Sequence, residues 1–141
     1  MIQPNDLRIG NFVKTKDKIF KVFKIVVYAG KPEKIKTNLV ALWRENEYQH
    51  KGFDKIEPIL LTPVVLEKCG FKKVSKNKAE DYQWIYEISY KGNIIELSVG
   101  YYDGEHHTFL WSGDCLKHIM WLHQLQNLYY SLTGSELEIV W

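Results

Sequence analysis

Seven residues in the last third of the chain carry side chains that bind metals or move protons: Asp103, Glu105, His106, His107, Cys115, His118 and His123. Imidazole, carboxylate and thiolate are the ligand types of zinc and related ions, but three or four must converge, each held by its own partner. The spacing does not favour convergence. There is no HExxH and no paired CxxC. His106 and His107 are adjacent, so on a strand they face opposite ways. His118 and His123 are five apart and on a helix would diverge by about 140°. Cys115 with His118 has the types of a thiol nucleophile and its base, but no third group is placed to orient the pair. A small hydrolase or metalloenzyme using the His106 to His123 region therefore stands against a plainer reading, a polar turn with scattered surface histidines. No catalytic residue, metal ligand or cofactor is assigned, and neither GxGxxG nor GxxxxGK[ST] occurs to cradle a phosphate.

A second chemistry lies near the amino terminus. Lys14, Lys16, Lys18, Lys21 and Lys24 crowd one short ribbon, with Phe12, Phe20 and Phe23 between them. Lysines on a ribbon can meet phosphates while aromatic rings stack on bases, so Lys14, Lys16, Lys21 and Lys24 are candidate nucleic-acid contacts. Lysines also line edge strands, where they block sheet-to-sheet association, and that alternative stays open. Residues 1–60 hold 12 Lys+Arg against 7 Asp+Glu (+5), and residues 61–141 hold 7 against 10 (−3). The net charge of +2 is too small to imply nucleic acid, but its uneven distribution is a hint about partners.

A third group, His123, Gln124, Gln126 and Asn127, forms an amide-rich stretch beside a run of leucines. These are candidate partner-binding residues. The alternatives are a solvated helix face or a buried polar network that ties the helix down.

The elements that must position these groups are legible to different degrees. Leu7 to Lys14 reads as a loop leading into a short strand, with Gly10-Asn11 as a turn signal. Ile19 to Tyr28 reads as the second strand of a hairpin, with Ile35 to Trp43 as a third strand and Arg44 to Lys55 as a polar connection. Thr62-Pro63-Val64-Val65-Leu66-Glu67-Lys68-Cys69-Gly70 predicts a two-turn helix: Thr62 as N-cap, Pro63 at the first position, and Gly70 as the left-handed residue that closes it. Phe71 starts a strand. Tyr82 to Tyr90, Ile94 to Tyr101 and His107 to Trp111, separated by Lys91-Gly92-Asn93 and Asp103-Gly104-Glu105, predict an antiparallel meander. Leu122, Leu125, Leu128 and Leu132, with Tyr129, predict a helix ending at Thr133-Gly134 with Leu125 and Leu128 in the core. Residues 115–121 are either one more strand or the start of that helix. Aromatic residues are abundant, with five Trp, nine Tyr and six Phe, which leans the whole toward sheet.

Two of these segments, Leu7-Arg8-Ile9-Gly10-Asn11-x-Val13 and His123-Gln124-Leu125-Gln126-Asn127-Leu128-Tyr129-Tyr130-x-Leu132-Thr133-Gly134-x-Glu136-Leu137, resemble a family of small uncharacterised bacterial proteins. Members recur in prophage-like and other mobile regions, and Leu61-Thr62-Pro63-x-x-Leu66-x-Lys68-Cys69-Gly70-Phe71 fits the same pattern. The resemblance spans most of the chain and implies an accessory role in a mobile element, with no activity attached. Residues 8–43 are also similar to small SH3-like barrels of the KOW and Tudor kind, an analogy of fold that carries no function.

The expectation is an α+β protein. A bent, basic β-lobe (1–58, an SH3-like barrel among its options) precedes an α+β lobe (59–141) with a short helix, a meander and one C-terminal helix packed on it. Two cysteines 46 positions apart form no scaffold, and neither a secretory signal nor a 20-residue apolar run is present. The expected setting is the reducing cytoplasm, away from membranes. The expected function is a non-enzymatic accessory or binding protein, whose partner is a protein or nucleic acid.

Overall fold

The computed structural model describes residues 2, 6–26, 39–76, 83–102, 105–112 and 115–141; for 75–76, 83–84, 100–102, 105–107, 109–112 and 115–117 the backbone alone is described. By contact density the chain forms two compact units. The first comprises Met1–Ile59 and Leu122–Leu128, and the second Leu60–Trp121 and Tyr129–Trp141. A segment of the C-terminal helix thus joins the first unit.

The first unit is built on four antiparallel strands in the order β1 (Phe12–Thr15), β2 (Lys18–Val26), β3 (Leu39–Arg44) and β4 (Glu47–Gly52). Lys16-Asp17 and Glu45-Asn46 are the tight turns, with Lys16 at φ 53° and Glu45 at φ 52°. Alternation decides the two faces. Val13, Phe20, Val22, Val40 and Leu42 point inward and are buried together with Ile2, Leu7, Phe53 and Ile56. The single-turn 3-10 helix Phe53–Lys55 supplies Phe53 to this core. The sheet does not close into the barrel suggested by analogy. Among the described strands β1 and β4 remain its ends, and the chain returns to β1 only at an isolated bridge. There Lys14 and Glu57 exchange backbone hydrogen bonds of 3.0 and 2.8 Å.

Strand β4 corrects the expectation of a polar connection over Arg44 to Lys55. It is an edge strand with no fully buried residue, so no apolar alternation announces it. Residues Ile35 to Asn38 of the expected third strand lie outside the described residues; Leu39 to Trp43 is β3.

In the second unit, helix α1 (Pro63–Lys68) follows its local signals. Thr62 Oγ1 accepts from the Val65 amide at 3.2 Å and Pro63 takes the first position. Gly70 sits at φ +88°. Its amide donates to Glu67 O, and the Phe71 amide donates to Leu66 O, both at 3.0 Å. This is the paired closure that a left-handed residue permits, with buried Leu66 and Phe71 as its apolar clasp. Five strands form a continuous antiparallel meander: β5 (Lys72–Lys76), β6 (Gln83–Tyr90), β7 (Asn93–Tyr102), β8 (Glu105–Ser112) and β9 (Cys115–His118). Lys91 and Gly92, both at positive φ, make the two-residue turn between β6 and β7 that matches strand twist. Tyr86, Leu97, Val99 and Thr108 are buried on this sheet.

The ambiguity at residues 115–121 resolves as strand β9 followed by helix α2 (Leu122–Thr133). The helix ends where Gly134, at φ +71°, donates to Tyr130 O at 2.8 Å. Its buried residues are Leu122, His123, Leu125, Gln126 and Tyr129. Leu125 is core as expected, but Leu128 is only half-buried and Leu132 is 59% exposed. Steps of three residues fall about 60° short of a turn, so the Leu122–Leu125–Leu128 series drifts off the buried arc. The arc follows the 122, 125, 126, 129 spacing instead, with polar Gln126 on it and buried His123 beside it. No helix among the described residues is long and apolar enough to cross a membrane.

Candidate functional site

Within the first unit, the amide-rich stretch of α2 is bonded to the loop that leads into β1. Gln126 is 1% exposed. Its Oε1 accepts from the Phe12 amide at 2.9 Å, and its Nε2 donates to Gly10 O at 3.1 Å. Asn127 Oδ1 accepts from Asn11 Nδ2 at 2.8 Å and Arg8 Nε at 3.2 Å, while its Nδ2 donates to Asp6 O at 3.0 Å. Asn11, fully buried, accepts at Oδ1 from the Arg8 amide at 2.7 Å. Each amide thus meets backbone groups that a loop would otherwise leave unpaired, which is the condition for burying a loop at all. The loop before β1 and the start of α2 are one structural device, joined across 116 residues of sequence.

The candidate partner-binding residues differ in burial. Gln126 and Asn127 make their hydrogen bonds inside the unit, and His123 is 3% exposed; Gln124 alone of the four is exposed. His123 Nδ1 is buried with no hydrogen-bond partner. Burial lowers its pKa below the usual imidazole value, and the Asp6 carboxylate opposes that shift in part. The buried ring is neutral.

The outer face of the same sheet has the opposite character. Directly paired residues in an antiparallel ladder project to the same side. One row runs across all four strands: Phe12, Lys21, Trp43 and Tyr48. A second row holds Lys24, Ala41 and His50, and a third holds Lys14 and Ile19. Phe23 has the parity of Lys21 and joins this side, and the bulge between Val22 and Lys24 sets Lys24 there too. Phe23 is 42%, Trp43 40% and Tyr48 65% exposed. The rings of Phe23 and Tyr48 meet edge-to-face at 5.8 Å. They reach each other over β3, where Ala41 carries only a methyl group and is itself fully buried. Lys21 Nζ lies 5.9 Å from the centre of the Phe12 ring. The described strands contribute no Asp or Glu to this face. The nearest carboxylate at its margin is Glu57, 3.6 Å from Lys14 Nζ.

Of the four candidate lysines, Lys14, Lys21 and Lys24 share this face. Lys16 does not: it sits in the β1–β2 turn and lines a separate concavity of about 610 Å3 with Lys18, Lys51 and Lys55. Acidic Asp17, Asp54 and Glu57 share that concavity, so it has little excess charge. Lys18 has the inward parity and pairs with Glu47 at 3.5 Å. Phe20, counted among the interleaved rings by sequence, is core.

The histidine–carboxylate candidates divide differently. Asp103 lies outside the described residues, as do the side chains of Glu105, His106, His107 and Cys115. Exposed His118 ends β9 in the second unit, whereas buried His123 belongs to the first. Among the described residues no three His, Cys, Asp or Glu side chains could hold a metal ion together. The second unit has its own open concavity of about 760 Å3, lined in part by Lys68, Cys69, Tyr90, Tyr129 and Ser135. The Tyr90 hydroxyl and Ser135 Oγ are 3.0 Å apart, and Tyr90 meets Tyr129 edge-on at 6.0 Å. Burial pushes the Cys69 thiol up to about 12, so it stays protonated at neutral pH and is no nucleophile.

Sequence reasoning named the lysines of the outer face but missed Trp43 and Tyr48. The signal was present: in Glu47-Tyr48-Gln49-His50-Lys51 every second residue is aromatic or heteroaromatic, as a strand with one ring-bearing side would show. Comparison with known protein families, with curated proteins and with solved structures finds no match.

Proposed function

We propose that this chain is a non-enzymatic binding protein that contacts nucleic acid through the outer face of its N-terminal sheet. The observation that carries the reading is the segregation of charge. Lys14, Lys21 and Lys24 lie on one face to which the described strands add no carboxylate, while Lys18 and Glu47 are paired on the other parity. A polyanion approaching that side meets cations and, at the edge of the described strands, the competing acid Glu57.

Lysine is a flexible point charge that meets phosphate without reading bases. Binding is accordingly weak, indifferent to sequence and steeply salt-dependent. Each phosphate contact contributes about 0.9 to the log–log salt slope on duplex DNA and about 0.7 on single strands. The test is a titration of oligonucleotides at several salt concentrations, with wild type beside a Lys14→Gln, Lys21→Gln, Lys24→Gln variant. The expected result is a slope flatter by up to about 2 to 3, with the fold unchanged by circular dichroism. Equal slopes in the two proteins, or no binding at low salt, would refute the reading.

A further inference from the structure

The outer face carries more rings than phosphate contact requires, and their placement points to a particular form of nucleic acid. We infer that the face takes single-stranded nucleic acid, with bases stacked on Trp43 and Tyr48 and phosphates on Lys21 and Lys24. This inference rests on the reading just given and narrows it.

Two physical facts separate single strands from duplex here. The first is width. Four strands spaced about 4.8 Å apart span about 14 Å from backbone to backbone, before any side chain is added. A major groove about 12 Å wide admits a helix or a two-stranded ribbon, so this sheet cannot enter it flat. Duplex is then left with backbone contact alone. The second is ring exposure. Trp43 and Tyr48 are directly paired neighbours on β3 and β4, with Phe23 against Tyr48 at 5.8 Å. Duplex bases are already stacked on one another and cannot use those rings. Unpaired bases can, and base–aromatic stacking tolerates any sequence because every base has a π-face.

The lysines lie where a strand laid across the rings needs them. Lys21 is in the same cross-strand row as Trp43 and Tyr48, and Lys24 is in the adjoining row beyond the bulge. A chain crossing the sheet along these rows passes cation, ring, ring. His50, in the second row, offers one more flat ring beside Tyr48.

The experiment measures fluorescence anisotropy of a labelled oligo-dT and of a labelled hairpin duplex of equal phosphate count, at low salt, against wild type, Tyr48→Ala, Trp43→Ala and the lysine triple variant. Tyr48 is the most exposed of the three exposed rings, so its truncation leaves the fold standing even if that of Trp43 does not. The expected pattern is tighter binding of oligo-dT than of duplex. Loss of either ring should weaken oligo-dT by roughly 5- to 150-fold, with duplex binding and the salt slope unchanged. The lysine variant should instead flatten the slope for both. Equal affinity for the two forms, with the Tyr48→Ala variant unaltered, would overturn the single-strand inference and leave phosphate contact in place. Absence of binding to either oligonucleotide would remove both readings, leaving the rings to a protein partner.

Discussion

The two faces of the N-terminal sheet are made from alternate residues of the same four strands, and they could hardly differ more. Inward, Val13, Phe20, Val22, Val40 and Leu42 are buried almost completely. Outward, Lys21, Phe23, Lys24, Trp43 and Tyr48 are exposed. A residue's index parity, more than its type, decides which role it takes. Phe20 is core while Phe23, three positions on and so of opposite parity, lies on the surface. The bulge between Val22 and Lys24 acts on the next residue: it turns Lys24 outward beside Phe23, as bulges re-aim a side chain. A run of lysines and phenylalanines is therefore no unit of function in itself. Of that run Phe20 is core, Lys16 lies in a turn, Lys18 has the inner parity, and Phe12, Lys14, Lys21, Phe23 and Lys24 share the outer face.

The sharpest way to break this comparison is to truncate an inner residue. Leu42→Ala should cost about 2–5 kcal/mol in urea unfolding, as lost burial plus an incompletely collapsed cavity. A cost below about 1 kcal/mol would show that the inner face is not the core. Next in size is the clamp that anchors the entry to β1. Gln126→Leu keeps the bulk of the side chain but strands the Phe12 amide and the Gly10 carbonyl, and should cost about 1–3 kcal/mol. Unchanged stability would mean that water replaces the amide and that the clamp is dispensable. Smallest is the outer face itself. Tyr48→Ala should shift stability by less than about 1 kcal/mol, the scale of an exposed cross-strand pair. A larger loss would make the outer rings structural and weaken the case for a binding surface.

Legibility in the sequence follows the range of the interactions. Helix α1 could be read residue by residue because Thr62, Pro63 and Gly70 act within a few positions of the groups they satisfy. The meander was legible for the same reason, through Lys91-Gly92 and its alternating strands. Strand β4 was not, because an edge strand with no fully buried residue has no apolar rhythm. The amide-rich stretch of α2 was legible only as a set of alternatives, a buried polar network among them. Gln126 and Asn127 look like surface until Gly10, Asn11 and Phe12 are placed against them, and nothing within one turn of the helix reveals partners so far away. For the candidate site the lysines were visible as a cluster, but which of them share a face depended on pairing register. Lys16 fell away into a turn and Lys18 to the inner parity.

The clamp also sets a schedule. The first unit takes its last piece, Leu122–Leu128, from the far side of the second. As the chain emerges from a ribosome, residues up to Ile59 are out well before the glutamine that will bond Phe12 and Gly10. At about 5–20 residues per second, the roughly 70 residues between them occupy about 3–14 s. For that interval the β1 entry loop lacks the partners that Gln126 and Asn127 supply to Phe12, Gly10 and Asp6. The N-terminal sheet is first to be made and among the last to be finished, so the nascent chain is most open to misassembly at the end that was synthesised earliest.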